Sequence, residues 1–144
     1  QNLLIYGNTG VGKTFLTHCI ARELMDHIHS VIYVTSSQLF DILGSREFDT
    51  DPEKRQAGAL LDECELLIID DLGTELTNSF TVSQLFICLN DRILQKKSTI
   101  ISTNLSLNEI KSIYSERTFS RISSNYRLLK LAGDDIRIKK KLMK

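Results

Sequence analysis

Residues 3 to 14 read Leu3-Leu4-Ile5-Tyr6-Gly7-Asn8-Thr9-Gly10-Val11-Gly12-Lys13-Thr14, a short apolar run that passes straight into GNTGVGKT. Such a run suits a buried strand, and the glycines after it let the backbone curl through dihedrals closed to other residues. The spacing GxxxxGK[ST] between a strand and a helix is that of a loop whose N–H groups surround a triphosphate. Lys13 then offers a point charge to the β- and γ-phosphates, and Thr14 a hydroxyl to Mg²⁺. Phe15 follows directly and completes the set of expected nucleotide contacts, Gly7 through Phe15.

Outward from this loop, short apolar runs suited to strands recur at Leu3 to Tyr6, Val31 to Val34, Leu66 to Ile69, Thr99 to Ser102 and, less purely, Tyr126 to Leu131. Helical patterns separate them. Leu16, Ile20 and Leu24, with Phe15 and Cys19 alongside, predict a helix to about His27, and Val82, Leu85, Phe86, Leu89 and Ile93 predict another. Strands alternating with such helices imply a five-stranded parallel sheet covered on both faces, an α/β fold of three layers. Asp51-Pro52-Glu53 marks one helix start and the capping box Ser106-Leu107-Asn108-Glu109 a second. The polar stretch Gly44 to Thr50 predicts a loop, and the segment after Gly133, with Lys139-Lys140-Lys141, a solvated end.

The composition bounds what this fold can serve. At 144 residues, 42% hydrophobic and 25% charged, the chain fits one domain over 1–144, and it opens almost on a strand, as an excised domain would. Eighteen basic residues balance eighteen acidic ones, so no overall field draws it to nucleic acid or to a membrane. Cys19, Cys64 and Cys88, odd in number and set in apolar surroundings, predict buried, reduced thiols and a cytoplasmic setting. No apolar run reaches the length of a membrane helix, and no signal sequence opens the chain.

Leu66-Leu67-Ile68-Ile69-Asp70-Asp71 is a buried-strand pattern closed by two carboxylates, at the strand end where α/β sheets bind ligands. Beside a phosphate loop, Asp70 suits Mg²⁺, and Asp71 suits the orientation or deprotonation of an attacking water. Two acids in that place also read as a turn or a helix cap. Asn104, just past the strand at Thr99, carries an amide able to donate to a phosphate oxygen while accepting from a water. It also reads as the opening of the turn into the helix capped at Ser106. On that helix, Arg117 and Arg121 lie four residues apart and project from one face, suited to phosphate, or else to an internal ion pair with Glu116 or Asp91. Arg137, in Gly133-Asp134-Asp135-Ile136-Arg137, reads locally as a solvated tail residue.

Taken in order, the phosphate loop, LLIIDD, a strand ending STN, ERTFSRI and GDDIR resemble the AAA+ ATPase domain of bacterial DnaC/DnaI-type replicative helicase loaders and their IstB-like transposition relatives. The resemblance runs from about Leu3 to Arg137. It implies a P-loop NTPase fold of AAA+ type that binds ATP or ADP with Mg²⁺ and hydrolyses ATP. It makes Lys13 and Thr14 the Walker A residues, Asp70 and Asp71 the Walker B pair, Asn104 the first sensor, and Arg121 the trans-acting finger with Arg117 one turn before it. Arg137 matches the second sensor. Self-association into an open or spiral oligomer is implied as well, with single-stranded DNA and a DnaB-type helicase as partners.

Departures from the pattern shape these expectations. Asp71 stands where most AAA+ proteins carry Glu, so slow, assembly-dependent hydrolysis is expected. Only eleven residues follow Gly133, so a minimal or absent helical lid is expected. The helicase-gripping region of the family lies outside this chain. DNA contact is expected between about Ser36 and Glu63, with Arg46, Lys54 and Arg55 as its basic residues; locally they also read as an ordinary solvated helix. A transposition helper of the IstB type shares every motif. A small-molecule P-loop kinase would need an acceptor site and usually an arginine-bearing lid, neither of which the sequence shows, and a nucleotide-binding scaffold that does not hydrolyse is a third reading.

Overall fold

The computed structural model describes residues 2–8, 10, 12–28, 30–45 and 51–131. Five strands, β1 (Asn2–Gly7), β2 (Val31–Thr35), β3 (Leu66–Leu72), β4 (Ser98–Thr103) and β5 (Tyr126–Leu131), form one sheet in the order β2-β3-β4-β1-β5. Every neighbouring pair is parallel. Parallel neighbours need a crossover on a sheet face, so the helices α1 (Lys13–Leu24), α2 (Ser36–Ser45), α3 (Pro52–Glu63), α4 (Ser79–Leu94), α5 (Leu107–Tyr114) and α6 (Glu116–Asn125) fill both sides.

The alternation of side chains along each strand decides which helix meets which face. Ile5, Leu66, Ile68 and Ile100 point one way and pack with Leu16, Ile20 and Leu24 of α1. Leu4, Leu67, Ile69 and Ile101 point the other way, onto Leu39 and Leu43 of α2, Leu85 and Leu89 of α4, Ile110 of α5 and Ile122 of α6. The phosphate-loop helix and the helix carrying Arg121 therefore lie on opposite faces. Each fully buried Leu or Ile in these layers contributes about 1.5–3 kcal/mol.

Local signals set the helix ends. The Asp51 carboxylate accepts from Glu53 N at 3.0 Å and Pro52 opens α3, while Ser106 and Glu109 close their capping box on α5. Asn78 and Thr81 form a second box that starts α4 at Ser79, three residues before the apolar stripe begins.

Three expectations need correction. Cys19 is exposed, whereas Cys64 and Cys88 are buried, because Cys19 falls off the Leu16-Ile20-Leu24 stripe. Gly44 and Ser45 belong to α2, and the rest of the predicted loop, including Arg46, lies outside the described residues. The helix capped at Ser106 does not continue through Arg117 and Arg121. It stops at Tyr114, where Ser115 takes φ 87° and caps a new helix with its side chain on Thr118 N. Among the described residues, no helix is long and apolar enough to cross a membrane.

Candidate functional site

Because the strands are parallel, their C-terminal ends meet at one edge: Gly7 beside Leu131, Tyr6 beside Thr103, and Asp70 beside Thr35. The phosphate loop leaves β1 there. Gly10 and Gly12 hold φ of 81° and 94°, and Gly12 starts α1 by accepting from Leu16 N at 2.9 Å. Thr9 and Val11 lie outside the described residues. Asn8, Thr14 and Phe15 are exposed, Phe15 with 75% of its surface.

Lys13 is buried, and its ammonium donates to the carbonyls of Gly7 at 2.9 Å and Asn8 at 2.7 Å. The loop thus curls around a cation held by carbonyls rather than by a carboxylate, an arrangement an anion can enter. Burial pulls its pKa below the ordinary lysine value, while the charges of Asp71 and then Asp70 act against that shift.

Asp70, almost buried at the end of β3, collects hydroxyls. Ser102 donates to its Oδ1 at 2.6 Å, Thr14 reaches the same oxygen at 3.4 Å, and Tyr33 donates to Oδ2. Tyr33 stands edge-on to His18 of α1, centroids 5.2 Å apart. Its phenol is held above its usual pKa by partial burial first, then by the bond to Asp70 and the charges of Asp70 and Asp71, so it remains a donor.

Asp71 differs in every respect. Its φ is 64°, a conformation unfavourable without glycine, and three contacts hold it: its N–H donates to Ser102 Oγ at 2.9 Å, and its carbonyl accepts from Ser36 at 2.9 Å and Thr74 at 3.1 Å. Its half-exposed carboxylate accepts no hydrogen bond among the described residues. Asn104 follows β4 at the same edge, exposed and equally uncommitted. Gly73 has φ 109°, and a Cβ there would come within 2.7 Å of Leu105, so the loop after Asp71 presses on the residue after Asn104.

The two arginines of α6 part company. Arg117 lies 4.2 Å over the Phe86 ring and donates to Ser83 Oγ at 3.4 Å, which ties it to α4. Glu116, one of the acids expected to pair with an arginine, meets Lys111 instead at 3.7 Å. Arg121 is exposed, and its guanidinium has no partner among the described residues. Arg137 lies outside them.

The donor set fits a nucleoside triphosphate with its magnesium: a glycine-shaped loop, an ammonium inside it, and a hydroxyl beside a buried carboxylate. The motif spacing did not reveal Tyr33 and Ser102. Aligning the strands does, since Ile69 beside Ile101 sets Ser102 next to Asp70, and Thr35 beside Asp70 sets Tyr33 two residues back on β2.

Similar proteins extend the picture. The profile of the family described as IstB-like ATP binding protein matches residues 1–143. The chain is 30% identical over 142 residues to an insertion-sequence ATP-binding protein of Sinorhizobium fredii, covering 95% of this chain and 57% of that protein. It is 31% identical over 122 residues to the replicative helicase loader DnaI of Bacillus subtilis, covering 81% of this chain and 38% of that one. The crystal structure of a DnaC helicase loader superposes with a TM-score of 0.78 at 24% identity, over 92% of this chain and 78% of the other, a likeness of fold. The chain thus spans between about a third and three fifths of the two curated relatives' length.

Proposed function

Since the chain belongs to the family of IstB-like ATP binding proteins, we propose that it is an ATP-hydrolysing AAA+ switch that acts on DNA, as the ATPase domain of a replicative helicase loader. What supports this most directly is the contact of Thr14 with Asp70, 56 residues apart in sequence, at the mouth of a loop that already encloses Lys13.

Lys13 binds the triphosphate, with Gly7 through Thr14 around it. Thr14 and Asp70 would hold Mg²⁺, which when bound offsets negative charge on the phosphoryl oxygens. Asp71, fixed at its backbone and with a carboxylate that accepts no hydrogen bond among the described residues, orients the attacking water. Asn104 receives that water or a γ-phosphate oxygen from the neighbouring strand end. Arg121 lies across the sheet from α1 with a guanidinium that has no partner among the described residues, so it serves the γ-phosphate of a second copy. Arg117, occupied by Phe86, is its neighbour on the helix rather than the finger, and Arg137 serves the γ-phosphate of its own subunit. ATP then closes subunits into an open or spiral oligomer on single-stranded DNA, with Lys54 and Arg55 exposed on α3 towards that strand. The oligomer delivers a DnaB-type helicase, and hydrolysis releases the loader.

A second role, assistance of DNA transposition, is favoured by one observation: the insertion-sequence relative covers 95% of this chain, against 81% for DnaI. The partner separates the roles, a hexameric helicase in one case and a transposase in the other. Nucleotide binding itself is tested by Lys13→Ala. Calorimetry with Mg-ATP should show affinity reduced by about a hundredfold or more; undiminished affinity would contradict the site.

A further inference from the structure

We propose that Glu75 and Tyr114 tie the loop after Asp71 to helix α6, and that Tyr114 is thereby a positioning residue for Arg121. One carboxylate makes the tie. Glu75 Oε2 accepts from Gly73 N at 3.0 Å, and Oε1 accepts from the Tyr114 hydroxyl. Both ends are anchored. Gly73 is pressed against Leu105, and the Asp71 carbonyl two residues earlier is gripped by Ser36 and Thr74. Tyr114 is fully buried, its ring 6.1 Å from that of Phe40. Burial, then the bond to Glu75, hold its phenol above the usual pKa, so it stays a donor.

Tyr114 is also the last residue of α5. The next residue, Ser115, makes the turn at φ 87° and caps α6, so the origin of α6 is fixed within one residue of the tie. The roll of α6 is then set by buried Thr118 and Ile122, and this leaves Arg121 outward. The tie thus fixes where the arginine helix starts relative to the Asp71 loop, and with it how Arg121 is presented to the next subunit. The inference rests on Arg121 acting in trans.

The test uses mixtures of full-length proteins with ATP, Mg²⁺ and single-stranded DNA. Lys13→Ala subunits supply only a finger and Arg121→Ala subunits supply only a nucleotide site, so hydrolysis in the mixture reports composite sites. Tyr114→Phe added to the finger donor should lower that hydrolysis about fivefold to tenfold. Added to the site donor, it should change the rate by less than about twofold. Equal losses in both arms, or none with the altered finger donor, would overturn the tie. If Tyr114→Phe does not fold, Glu75→Gln in the same two arms carries the same asymmetry. No hydrolysis in the unaltered mixture would sink the trans finger and the tie together, whereas recovery without asymmetry would sink the tie alone.

Discussion

The two edges of the sheet are finished differently. Where the strands begin, Arg92 of α4 is 1% exposed, and its guanidinium donates to Thr99 Oγ1 at 2.9 Å and to the carbonyls of Leu61, Cys64 and Ser98 at 2.9, 2.9 and 2.7 Å. That one side chain bolts the end of α3 and the start of β4 to α4. Where the strands finish, Asp71 and Asn104 carry polar side chains with no partner among the described residues, and on α6 Arg121 is equally bare. Saturated polar groups hold a fold together, whereas exposed, uncommitted ones are available to another molecule. The same residue type, arginine, is thus a structural bolt at one edge and an open hand elsewhere.

Substitutions can break this contrast. Arg121→Ala has the largest expected effect: assembly-dependent hydrolysis should fall about a thousandfold, with ATP affinity and unfolding midpoint unchanged. A large loss of stability instead would make Arg121 a second bolt. Arg92→Met should do the reverse, lowering the unfolding free energy by about 3 kcal/mol, because the carbonyls of Leu61, Cys64 and Ser98 lose the guanidinium. Denaturant titration measures this, and a neutral result would show that those carbonyls find other partners.

Smaller changes sharpen the contrast within the site. Tyr33→Phe removes one donor from Asp70 and should weaken ATP binding in Mg²⁺ by about fivefold, leaving affinity in the presence of a chelator unaltered. Equal affinities with and without metal would show that Tyr33 does not orient the carboxylate. The smallest effect concerns pH. Burial lowers the pKa of Lys13 in the free protein, and a bound triphosphate favours the protonated form. Above that lowered pKa, binding must therefore take up a proton, and affinity should decline as pH rises. Calorimetry in buffers of different ionisation enthalpy reads this uptake; its absence at alkaline pH would contradict a buried cation in the loop.

How much of this was legible in the sequence follows from the range of each interaction. Apolar runs mark parallel strands well, since both faces are buried, and β5 spans Tyr126 to Leu131 as expected. The phosphate loop is encoded by spacing within eight residues, so it was visible at once. Other features depend on chain segments far apart. Arg92 has an ordinary polar place in its helix, and only the tertiary fold wraps carbonyls around it. Tyr33 and Ser102 reach Asp70 from separate strands. The break at Ser115 was hidden because a serine with positive φ carries no local signature, and it changed how α6 and its arginines are presented.

The central claim is that the phosphate loop and Arg121 form half-sites completed by a neighbouring copy. Its most direct measurement is ATP hydrolysis by mixtures of Lys13→Ala and Arg121→Ala proteins, each inactive alone, across mixing ratios with single-stranded DNA. The account predicts recovered hydrolysis that peaks at intermediate ratios, where mixed interfaces are most numerous. No recovery at any ratio would contradict it.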